Sequence, residues 1–222
     1  MDWLKRMIHA LTLSALLGLC AACRTSSFAA PLSFQRLCGL EVEQMGQMDE
    51  AQVRQWLEQQ YGPVNRDSDL GEGVIRLWAP EKNGAAPTAF LRRDRLFKVL
   101  QSLKDGPPFG QVVAEFGAPQ SVAGSYLPYE TIRYEIGLDY PQLGLTLYYD
   151  GEDTSQSLTH NGRLGVQMKS DYAVDLVSCY TPRASMQQVI QNGFPSDAKS
   201  VGLILGRRQP WPGFGGWVSL LP

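Results

Sequence analysis

Phe109-Gly110-Gln111-Val112-Val113-Ala114-Glu115-Phe116-Gly117-Ala118-Pro119 sets Phe109, Val112, Val113 and Phe116 at i, i+3, i+4 and i+7, the spacing that lines one face of a helix. Pro107 and Pro108 suit its start. Gly117 can close a helix in the left-handed conformation and Pro119 cannot continue one, so the helix is predicted to stop near Phe116. The period then changes to two. Ile132, Tyr134, Ile136 and Leu138 alternate with Thr131, Arg133, Glu135 and Gly137, which predicts a strand with one apolar face and one wetter face. Tyr140 to Gly144 turns the chain, Leu145 to Tyr149 returns it, and Asp150-Gly151 reads as the turn that ends the hairpin. Helix on hairpin predicts an α+β fold: an antiparallel sheet with short helices on one face.

Working outward, the preceding residues repeat that order. Asp49 caps a helix into which Gln52 reaches back, with Val53, Trp56, Leu57 and Tyr61 on one face and Gly62-Pro63 as the stop. Strands are predicted over Gly73 to Ala79, Thr88 to Arg93 and Leu96 to Leu100, with Asp94-Arg95 as a turn. Leu57 and Tyr61 match Val112 and Phe116, Gly62 matches Gly117, and Ile75-Arg76-Leu77 matches Ile132-Arg133-Tyr134, so two tandem units are expected, over 36–105 and 106–222. Ala173 to Tyr180 is expected as the last strand of the second unit, and Ser185 as the cap of a short helix carrying Met186, Val189 and Ile190.

The N-terminus reads as an address. Lys5 and Arg6 precede an apolar run from Met7 to Leu19 that is too short to span a bilayer, and small residues follow, the layout of a secretory signal. Leu19-Cys20-Ala21-Ala22-Cys23 resembles the bacterial lipoprotein signal, although Cys20 stands where that family prefers an aliphatic residue. The resemblance implies cleavage after Ala22, acylation of Cys23 and attachment of the mature chain to a membrane. Residues 23–35 are then expected to act as a tether, since Arg24 to Gln35 shows no sustained periodicity; its reach when extended is at most about 40 Å. An ordinary cleaved secretory signal is the plainer alternative. With Cys20 removed and Cys23 acylated, Cys38 and Cys179 are the only thiols left, and outside the cytoplasm they are expected to pair.

A lipidated cysteine, a short helix ending in a Gly-Pro type stop and an antiparallel meander resemble the small lipoproteins of the bacterial outer-membrane barrel-assembly machinery. Doubling of the unit is similar to the tandem fold of the beta-lactamase inhibitor protein. The resemblance runs from Asp49 to about Tyr180 and is carried by Gly62-Pro63, Gly117-Ala118-Pro119 and strand order. It transfers no functional residue, and it implies a sheet whose faces bind proteins.

Composition and chemistry narrow the function class. The chain has 222 residues, 44% of them hydrophobic, and a formal charge of −2; losing the leader with Asp2, Lys5 and Arg6 makes it slightly more acidic. That is no nucleic-acid footprint. Arg92, Arg93, Arg95 and Lys98 form one local basic cluster, which reads as a solvated hairpin or as a contact for anionic headgroups. His160 is the only histidine after the leader and sits beside the turn pair Asn161-Gly162, which argues against a histidine-rich zinc site or a triad. Asp67, Asp69 and Glu72 lack the glycine and the terminal glutamate of a calcium loop, and Asp150, Glu152 and Asp153 read as a wet hairpin end. No metal, cofactor or catalytic set is called for. Trp211, Phe214 and Trp217 stand among glycines and a proline too small to cover them. Either they pack onto the sheet, the favoured outcome, or they form an interaction surface. The expected function is a non-enzymatic, membrane-anchored extracytoplasmic module that binds a protein or polymer of the cell envelope; the alternative is a cell-wall or extracellular hydrolase.

Overall fold

The computed structural model describes residues 31–67, 73–81, 87–128, 132–153, 159–160, 162–193 and 198–220. The leader and Cys23 lie outside them. From Leu32 to Pro222 the chain forms one compact unit. In order it comprises α1 (Phe34–Cys38), a 3-10 turn (Val42–Gln44), α2 (Glu50–Tyr61), β1 (Asn65–Asp67), β2 (Val74–Trp78), β3 (Pro87–Arg92), β4 (Arg95–Ser102) and α3 (Phe109–Phe116). Then come β5 (Ser121–Pro128), β6 (Ile132–Tyr140), β7 (Leu145–Asp153), β8 (Thr159–His160), β9 (Arg163–Gln167), β10 (Leu176–Tyr180), α4 (Met186–Gly193), α5 (Ala198–Gly206), β11 (Arg208–Gln209) and β12 (Trp217–Ser219).

Nine strands make one sheet in the order β1-β2-β3-β4-β10-β7-β6-β5-β11, and β12-β9-β8 make a small second sheet. Every ladder among the described residues is antiparallel. Short turns suffice for most neighbours, whereas parallel pairs would need long crossovers. The fold is α+β.

Local chemistry accounts for the helices. Asp49 and Gln52 form a reciprocal capping box at the start of α2, and Gly62 follows its end. Gly117, at φ 79°, ends α3 where a residue with a Cβ would be strained. One face of the sheet carries Leu77, Ala89, Leu91, Val99, Val177, Leu147, Leu138 and Ile136, all fully buried beneath α1, α2 and α3. Phe109 of α3 meets Tyr149 and Tyr172 edge-on, and those two rings stack at 4.1 Å. Cys38 of α1 is disulfide-bonded to Cys179 of β10, the central strand, with Cα atoms 6.0 Å apart.

Several expectations need correction. Asp150-Gly151 is not a turn: β7 runs on to Asp153 in register with β6. Gly151 is there because Tyr134 lies across it, and a Cβ would come within 2.5 Å of that ring. The β3–β4 turn is Arg93-Asp94, one residue earlier than expected, with both residues at positive φ. The last long strand begins at Leu176, not Ala173. Packing starts inside the expected tether, because Leu32 is buried and its N–H donates to the Glu115 carboxylate, while Ser33 caps α1. Helices also lie on both faces. The Ser185-capped α4 packs against β4 on the side of Tyr180 and Lys98, since Met186 and Ile190 need apolar cover of their own.

Candidate functional site

The second face of the sheet carries the polar residues of the alternating strands. Strand register places Ser121, Asp139, Thr146 and Ser178 directly opposite one another on successive strands, and Tyr180, Lys98, Phe90, Arg76 and Asp67 on the next rung. Asp139 is fully buried. Its carboxylate accepts from the Ser121 hydroxyl at 2.7 Å and the Thr146 hydroxyl at 3.0 Å, and pairs with Arg208 Nε at 3.0 Å. Arg208 also donates to the Ile204 carbonyl at the end of α5. One buried carboxylate therefore ties β11 and α5 to the sheet, and a buried charge is tolerated because hydrogen bonds and a counter-charge surround it. Tyr180 extends the network by donating to the Leu145 carbonyl and lying 3.3 Å from the Thr146 hydroxyl.

Lys98 sits 5.9 Å from the centre of the Phe90 ring. Burial pushes its ammonium down to about 8, opposed by the Glu135 carboxylate and reinforced by Arg208. Glu135 is itself pushed up, first by burial and then by Asp150, against the pull of Lys98 and Arg207. Burial also raises the Tyr148 and Tyr180 phenols. At the rim Arg133 pairs with Asp150 at 2.7 Å and with Glu152 at 3.5 Å, all three exposed to solvent. A recess of about 40 Å³ beside Lys98, between Phe97, Tyr180, Thr181 and α4, shares Phe97 and Thr181 with a larger one of about 300 Å³ at the β3–β4 turn, which is lined by Arg92, Arg93 and Arg95. The basic cluster is thus divided: Lys98 faces the covered sheet and the three arginines line the open end.

The residues singled out in the sequence are placed as follows. Trp211 and Trp217 are half-buried and Phe214 is 40% exposed, with Trp211 and Phe214 meeting edge-on at 5.3 Å. β12 pairs with β9, so Trp217 lies over Gly165, and Val218 and Leu220 join the core. Asp67 pairs with Arg76, whereas Asp69, Glu72, Cys23 and the side chains of Asp153 and His160 lie outside the described residues. Among the described residues no group of three or more His, Cys, Asp or Glu is placed to hold a metal ion, and no helix is long and apolar enough to cross a membrane. The Asp139–Arg208 pair is what sequence reading missed. Its one local signal is that the polar positions Arg133, Glu135 and Gly137 continue, two by two, to Asp139. No family model, no curated protein and no solved structure matches the chain.

Proposed function

We propose that the chain is a membrane-anchored extracytoplasmic lipoprotein, acylated at Cys23, that serves the cell envelope as a non-enzymatic module binding a protein or polymer. The observation that carries this reading is the Cys38–Cys179 disulfide, which joins an N-terminal helix to the central strand across 141 residues. Structural disulfides of this kind form and persist in oxidising compartments. The basic, apolar and small-residue layout before Cys23 supplies a route there.

In this reading the two halves are related units, as in the tandem fold of the beta-lactamase inhibitor protein. Sheet order supports it: β1 to β4 run inward to the centre, and β10, β7, β6 and β5 run outward in reverse order. Each half opens with a helix, ended by Gly62 or Gly117 at positive φ. The matching triplets Ile75-Arg76-Leu77 and Ile132-Arg133-Tyr134 both fall in the second strand of their half.

The test is fractionation of cells making the parent chain or Cys23→Ser, followed by crosslinking in native membranes to identify the partner. Each buried methylene of an acyl chain contributes about 0.8 kcal/mol, so loss of the acyl chains should move the protein to the soluble fraction. Unchanged membrane retention of Cys23→Ser would contradict the anchor.

A further inference from the structure

The recess at the tip of the β3–β4 hairpin has a composition that neither the core nor the sheet network explains. Gly46, Arg92, Arg93, Arg95, Phe97 and Thr181 line about 300 Å³ of open concavity, with Leu96 completing the wall, and none of these residues is acidic. Asp94, the one carboxylate in the turn, does not line the recess and accepts the backbone N–H of Glu50 at the start of α2. The 46–48 segment is fixed alongside β4 by Gly46 N–H to Leu96 carbonyl and Leu96 N–H to Met48 carbonyl bonds, and Arg95 donates to the Gln47 carbonyl. The walls are therefore held before any ligand arrives.

The turn itself points the same way. Arg93 and Asp94 occupy φ 51° and 58°, the left-handed pair of a two-residue hairpin. Asn-Gly or Asp-Gly fills such a turn at least cost, and a long side chain at the first position is disfavoured. Arg93 is exposed there and is held against backbone preference, at a position that asparagine would fill at less cost.

We propose that this recess binds a phosphate-type oxyanion. The Arg93 guanidinium, and the N–H groups that Arg95 keeps beyond its bond to the Gln47 carbonyl, can meet such a group with paired donors, geometry that ammonium groups lack, and the Thr181 hydroxyl adds a further donor at the wall. The slightly acidic whole chain makes the site local, unlike the extended basic track of a nucleic-acid binder. The oxyanion can belong to a lipid headgroup or to a free phosphorylated solute. The proposal deepens the binding-module reading and rests on it for biological setting alone, so its failure in purified protein would leave the Cys23 fractionation result standing.

The experiment titrates the full chain, purified in a neutral detergent, with inorganic pyrophosphate, and in parallel with detergent micelles containing phosphatidylglycerol or phosphatidylcholine. Saturable binding to pyrophosphate, or to phosphatidylglycerol but not phosphatidylcholine, is expected; the first result identifies a soluble source and the second a headgroup. Arg93→Asn should weaken that binding about tenfold, as the loss of one charge-assisted contact does, and Arg95→Gln should weaken it similarly. Lys104→Ser, an exposed lysine outside the recess, should leave it unchanged. Arg93→Asn is expected to melt no lower than the parent, because asparagine takes the left-handed conformation more readily, so lost binding reads as lost charge and not as unfolding. No saturable binding to either probe, or affinity indifferent to Arg93→Asn and Arg95→Gln, would overturn the proposal.

Discussion

The two faces of the nine-stranded sheet are built from the same strands and solve different problems. On the face under α1, α2 and α3, Leu77, Leu91, Val99, Leu147 and Leu138 exclude water and Cys38–Cys179 closes the layer covalently. On the other, Asp139, Thr146, Ser178 and Lys98 follow one another across neighbouring strands, cover comes from α4, against which α5 packs, and Arg208 reaches in from the edge strand β11. Stability is assigned to the first face and positional specificity to the second. A buried ion pair adds little net stability over an apolar substitute, yet it penalises every arrangement in which Arg208 misses Asp139.

That contrast can be broken at its strongest point first. Removing the disulfide as Cys38→Ala/Cys179→Ala should cost about 4 kcal/mol, given the length of the loop it closes; urea unfolding with the m-value fitted separately for each variant measures it, and a loss under about 1 kcal/mol would move the centre of stability away from the first face. Next in size, Arg208→Met should cost about 3 kcal/mol because Asp139 is left buried without its counter-charge. Adding Asp139→Asn to Arg208→Met should restore most of that loss. A double variant no better than the single would show that the pair supplies stability and not only position.

A smaller effect of opposite sign is expected at Lys98. Its folded-state pKa, at about 8, lies below the ordinary lysine value of 10.5. The unfolded chain therefore binds the proton more tightly, the penalty is fully present below pH 8, and stability rises with pH between about 8 and 10.5. Lys98→Met should be more stable than the parent by about 1 kcal/mol at pH 7, and that advantage should shrink across the same window. An advantage independent of pH would assign the effect to packing. Smallest of all, Arg133→Ala should change stability by less than about 1 kcal/mol, since its pairs with Asp150 and Glu152 are solvent-exposed.

Much of this contrast was legible in the alternation. Ile132 to Leu138 announced an apolar and a wetter face, and the Gly117-Ala118-Pro119 and Gly62-Pro63 stops placed two helix ends. Alternation is local, so it reports which residues share a face but not what covers that face. Arg208 reaches Asp139 from a strand at the opposite edge of the β5–β6–β7 meander, a contact for which neighbouring residues carry no signal. Gly151 misled for a related reason: turn and strand glycines look alike until the Tyr134 ring is seen above one of them. The insertion of β10 between β4 and β7 was equally hidden, although pairing Cys38 with Cys179 by elimination named its anchor.

The extracytoplasmic reading rests on that bond existing in the cell. Cells making the full chain are quenched in acid, and their protein is treated with a mass-tagged maleimide under denaturing conditions, before and after reduction. The account predicts that Cys38 and Cys179 take up no tag until reductant is added and both take it up afterwards. Tagging of both residues without reductant would contradict it.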